Sequence, residues 1–166
     1  ASSANGNSKA TRRDAIFWLA VARGESGFRT VRALLDDAEK GLQRHVVFAL
    51  GVSPVPDAAI ELRRLVRTHP ASNVRGEAVF WLAQHDDTEV EALVEDVLAN
   101  DDSREVRKKA VFALSQLPPA RAVPALRALV ESSRPQEIRK EALFWLAQVN
   151  DDAVLPIFDE LLGAPD

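Results

Sequence analysis

The sequence predicts an all-α protein, a stacked array of five helical hairpins, and three observations carry that prediction. Five phenylalanines stand at 17, 48, 80, 112 and 144, in steps of 31, 32, 32 and 32 residues. A common phrase surrounds them. Ala142-Leu143-Phe144-Trp145-Leu146-Ala147-Gln148 nearly repeats Ala78-Val79-Phe80-Trp81-Leu82-Ala83-Gln84, and Ala110-Val111-Phe112-Ala113-Leu114-Ser115-Gln116 is a looser copy, as are 12–19 and 43–50. No segment of useful length reads as a strand. A fixed period of this size marks units that cannot bury an apolar face alone and must stack on their neighbours.

In chain order, the small polar residues at 1–10 read as a disordered tail or linker. Residues 11–162 then form one solenoid, with repeats at about 11–37, 41–68, 73–100, 104–132 and 136–162. The fourth repeat is the clearest. Val106, Ala110, Ala113, Leu114 and Leu117 recur at helical spacing, Pro118-Pro119 stops that helix, and Ala122, Leu126, Leu129 and Val130 form the stripe of a second. Pro124 reads as a first-turn proline, where a missing N–H costs little. The links at 37–41, 68–73, 100–105 and 132–137 are rich in Asp, Ser, Asn or Pro, as turns require. Thr88 with Glu91, and Ser133 with Gln136, have capping-box spacing.

The second helices align in columns: Leu34, Leu65, Val97, Leu129, Leu161, and Val31, Leu62, Val94, Leu126, Phe158. On the first helices the Phe column lies about 120° from the Trp/Ala column, so it should face the neighbouring repeat. Gln84, Gln116 and Gln148 share that flank, with hydrogen bonding between repeats as their expected role. The position after each Phe alternates Trp18, Ala49, Trp81, Ala113, Trp145. This suggests core columns in which each indole spreads over space left by the alanines.

Composition sets limits on function. The 166 residues are 46% apolar and 28% charged, as in an ordinary folded domain, with a net charge of −4 that exerts no general pull on nucleic acid or anionic lipid. No apolar run approaches the roughly 18 residues of a membrane span. Absence of cysteine excludes disulfides and thiolate metal sites and leaves the compartment open, cytoplasmic or exported. The chain also lacks methionine, even at position 1, which reads as a processed or excised segment, a removed signal peptide included.

The pattern Val106-Arg107-Lys108-Lys109-Ala110-Val111-Phe112-Ala113-Leu114 resembles the short bacterial HEAT-type repeat, also labelled phycobilisome-lyase-like. The resemblance covers roughly 11–162. It implies a right-handed α–α superhelix with first helices convex and second helices concave, and for function it implies a protein-binding scaffold. The second repeat departs from the pattern, with Gln43 for Arg and Val46 for Ala, which puts its local geometry in question. The di-iron branch of the family uses repeated His-Glu dipeptides, and none of His45, His69 and His85 is followed by Glu. No catalytic residue, metal or cofactor is expected. The paired carboxylates Asp86-Asp87, Asp101-Asp102 and Asp151-Asp152 read as solvated turn residues that help cap the following helix.

The expected partner is a protein or peptide on the concave face. Unused columns on the second helices read Arg32, Arg63, Glu95, Arg127, Asp159 and Ala33, Arg64, Asp96, Ala128, Glu160. With Arg29 and Arg67 the first two repeats are basic and the third acidic, a banding that suits an elongated ligand. Arg29, Arg32, Arg63, Arg64 and Arg67 are the candidate anchor for an acidic segment, with Glu95 and Arg127 beyond them. Two alternatives stand: a nucleic-acid-binding or DNA-repair array using the same basic patch, and a lyase or chaperone for a protein-bound chromophore. The last helix, 154–162, is as apolar as the internal ones, which reads either as an array that continues in a longer protein or as an end that packs on another domain or subunit.

Overall fold

The computed structural model describes residues 2–37, 40–85 and 87–163. These form ten helices and no strand: α1 Ser2–Ala22, α2 Gly24–Asp37, α3 Lys40–Gly51, α4 Asp57–Thr68, α5 Ser72–Gln84, α6 Val90–Asn100, α7 Arg104–Ser115, α8 Pro119–Glu131, α9 Gln136–Leu146 and α10 Val154–Gly163. Each odd-numbered helix packs on the next odd-numbered helix. Each of α2, α4, α6 and α8 packs on the first helix of the following repeat, while the even-numbered helices barely meet one another. Contacts therefore run between neighbours along a solenoid.

The core is the apolar face of every hairpin joined to the next. Val31, Leu62, Val94 and Leu126 are fully buried in one column of the second helices, and Leu65, Val97 and Leu129 in another. The first helices contribute Leu50, Leu82, Leu114 and Leu146, with Val46, Ala78, Ala110 and Ala142 in the small-residue column. Val46 thus occupies its column as fully as the alanines do. Each buried Leu or Val contributes about 1.5–3 kcal/mol.

Local chemistry sets the helix ends. Gly24 has a φ of 51°, the left-handed region that a residue without Cβ adopts freely, and it turns the chain from α1 to α2. Ser103 caps α7 by accepting from the Val106 N–H. Arg75 and Arg107, each three residues before the alanine that opens the recurrent phrase, reach back five or six residues to the preceding link. Arg75 donates to the carbonyls of His69 and Pro70, and Arg107 to that of Asp101.

Several expectations change. The backbone of residues 2–10 continues α1 rather than forming a tail, since nothing between Ser2 and Ala22 breaks a helix outright. Neither capping box forms: α6 starts after Glu89 and α9 after Pro135, so Thr88 and Ser133 fall outside the cap positions. Glu91 is drawn to Arg121 instead. Pro124 lies in the second turn of α8, because that helix begins early, at Pro119. Its missing N–H leaves the Ala120 carbonyl without a helix partner. Gln84, Gln116 and Gln148 are exposed, and Gln116 donates to Ser115 of its own helix rather than across repeats.

The aromatic residues differ most. The Phe column does face the neighbouring repeats: Phe17 stacks on Phe48 at 5.9 Å and Phe80 on Phe112 at 5.8 Å. The tryptophans are not core. Trp18 is exposed, and Trp81 and Trp145 are half-buried at the flank, leaning back on Phe48 and Phe112 of the preceding repeat. Trp81 lies over Gly51, where an added Cβ would meet the indole.

Candidate functional site

The sequence-predicted arginines do not form a free basic patch. Arg32 and Arg64 both close on Glu61, at 3.1 and 2.6 Å, and Glu61 is a buried carboxylate. Arg63 binds Asp87 at 3.0 Å and approaches Glu89 at 3.4 Å. Glu95 pairs with Arg134, and Arg127 with Glu131 and Glu160. Arg29 and Arg67 are exposed and, among the described residues, have no ion-pair partner. Arg67 lines a separate polar cleft of about 300 Å³ with Asp96, Asn100 and Asp102.

These pairs mostly join one repeat to the next. Arg32–Glu61 ties the first repeat to the second, Arg63–Asp87 the second to the third, Glu91–Arg121 the third to the fourth, and Arg127–Glu160 the fourth to the fifth. The charge banding of the second helices is thus chiefly the complement of the neighbouring helix. Arg121 also holds the carboxyl of Glu91 below the usual carboxylate range, against the opposing effect of burial. Asp87 and Asp101, expected as solvated turn residues, are nearly buried by Arg63 and Arg75. Each also accepts a backbone N–H two residues on, as does Asp151, which orders the turn before the next helix. Asp86 lies outside the described residues.

Because the even-numbered helices stand apart, grooves open between them. The one between α6 and α8 measures about 430 Å³. Its lining is largely apolar, from Ala92, Leu114, Pro124, Ala125 and Ala128, with Glu91, Glu95 and Arg121 among its polar groups. Ala92 and Pro124 belong to a column reading Arg29, Ile60, Ala92, Pro124, Pro156, all exposed. This column is an apolar stripe over the last four repeats, and at its end stands Arg29, unpaired among the described residues. Ile60 is 57% exposed.

The sequence carried a signal for both features. Glu61 interrupts a column otherwise reading Thr30, Leu93, Ala125, Ile157, so an acid stands where neighbours are mostly apolar. The apolar stripe was visible by the same alignment, but it lies beside the charged columns that drew the reading. The histidines play unrelated parts. His69 Nδ1 accepts from the Ala71 N–H, His45 Nδ1 lies 3.2 Å from the Gly41 carbonyl, and His85 Nε2 is buried without a hydrogen-bond partner. Among the described residues, no helix is long and apolar enough to cross a membrane.

The family profile of HEAT repeats matches residues 61–147, more than half of the chain. The chain belongs to the HEAT-repeat family. A search of curated proteins finds no match. HEAT repeats generally serve as scaffolds for protein interaction.

Proposed function

We propose that this HEAT-repeat protein is a non-enzymatic interaction module that holds an extended polypeptide along its even-numbered helices. The supporting observation is the α6–α8 groove, an apolar trough continuous with the exposed stripe from Ile60 to Pro156. A bound segment lies across the helices, its apolar side chains over Ile60, Ala92 and Pro124. An acidic residue at one end meets Arg29. Buried apolar contacts supply the affinity and the charges set direction. The ion-paired arginines are poor anchors, since a ligand that took Arg63 would leave Asp87 nearly buried without its counter-charge, and one that took Arg64 would strip the buried Glu61 of the nearer of its two arginines. The same argument disfavours a phosphate backbone on this face.

A displayed library of extended peptides tests the reading. Selected binders should pair an acidic residue with spaced apolar residues, and should lose at least about tenfold in affinity on Ala128→Trp, which fills the groove, or Ile60→Asp. Binders that hold both variants as tightly as the parent would contradict it.

A further inference from the structure

Two junctions between repeats use the same set of side chains. Where the second repeat meets the third, Arg44 Nη2 lies 3.6 Å from Glu77 Oε1, and Phe48 meets the Trp81 indole edge-on at 5.3 Å. Where the fourth meets the fifth, Lys108 Nζ lies 3.6 Å from Glu141 Oε2, and Phe112 meets Trp145 at 4.6 Å. In both, a cation four residues before one Phe reaches an acid three residues before the next. That Phe then carries the Trp of the following repeat. The third residue after the Phe is small, Gly51 or Ser115, which leaves room for the indole.

The two ends of the array hold the separated halves of this set. Lys140, Phe144 and Ala147 stand at one end, at the cation, Phe and small-residue positions. Asp14 and Trp18 stand at the other, at the acid and Trp positions. Lys140 and Asp14 are exposed and, among the described residues, neither has an ion-pair partner. Trp18 is 61% exposed and Phe144 54%. The neighbouring columns tell the same story, for Leu162 is 84% exposed where its counterparts Leu35 and Val66 are 2%. Leu155 is exposed where Phe28 and Val123 are buried.

We propose that a second copy of this chain docks head to tail on the first. Trp18 of one copy rests on Phe144 and Ala147 of the other, with Asp14 facing Lys140, which continues the internal junction across two molecules. The two surfaces differ, so the contact is heterologous, and each added copy leaves a free end. The apolar residues at 155 and 162 are covered by the arriving repeat. This inference does not rest on the groove, which lies on the even-numbered helices.

Sedimentation of the full chain over a wide concentration range gives the test. The mean mass should climb continuously past that of a dimer. Trp18→Ala blocks one end and Lys140→Glu the other, so each variant alone should associate at least about fivefold more weakly. Mixing them should give dimers that grow no further, because one intact end of each kind remains. Exchanging the charges with Asp14→Lys and Lys140→Asp together should recover the parent's behaviour. Unchanged helical circular dichroism verifies that the variants are folded. A chain that stays monomeric throughout, a dimer indifferent to these changes, or a mixture that does not associate would each overturn the proposal.

Discussion

Gly51 and Trp81 show how one missing atom holds a junction together. A Cβ at residue 51 would stand 2.2 Å from Cδ2 of Trp81, far inside van der Waals contact. Gly51 ends α3, and alanine there gains up to about 1 kcal/mol of helix propensity. Displacing a half-buried indole from its seat on Phe48 costs more, roughly 1–3 kcal/mol. Gly51→Ala should therefore lower stability in urea, and should become neutral or favourable in a Trp81→Ala background. A gain in the parent chain would show that the indole is not seated there. The alternation of Trp and Ala was legible in the sequence, but the seat was not. One residue after the Phe is about 100° around the helix. Whether that direction meets core or flank depends on how close neighbouring helices stand, and here the second helix of the preceding repeat fills the core side.

At the scale of the element, the links are held as firmly as the helices. Asp101 lies between α6 and α7, with Arg75 of one repeat bonded to its carboxylate at 2.7 Å and Arg107 of the next bonded to its carbonyl, also at 2.7 Å. Burial pushes the Asp101 carboxyl up, but the Arg75 hydrogen bond, the Ser103 N–H and the nearby arginine charges outweigh it and hold the carboxyl below its ordinary value. The folded value lies below the unfolded one. The stabilisation is thus fully present above about pH 4, the unfolded range, and is withdrawn as pH falls through the lowered folded value. Asp101→Asn should cost about 1–3 kcal/mol at neutral pH and flatten the acid limb of stability against pH. An acid limb as steep as the parent's would remove the clamp from the account. These clamps were only half legible. The recurrent Arg stands three residues before the repeating phrase, but its partners lie in links where the period gives no register.

For the whole molecule, helix count, order and pairing followed from the period, because a solenoid's contacts are local and each repeat restates them. The proposed binding surface did not follow. Alignment placed Arg32, Arg63 and Arg127 in one line, but ion-pair partners in the next repeat, 24 to 33 residues away, consume that line and leave the apolar stripe beside it as the open surface. Stability in such an array is a sum over neighbouring repeats, carried at the first helices by rings in edge and stacked contact and at the second by crossing ion pairs. The most direct test of that claim is a pair of double-mutant cycles. Phe48→Ala with Trp81→Ala spans one junction, and Phe48→Ala with Trp145→Ala spans repeats that do not touch. The account predicts a coupling of about 0.5–1.5 kcal/mol for the first pair and none beyond error for the second. Equal coupling in both cycles, or none in the first, would contradict it.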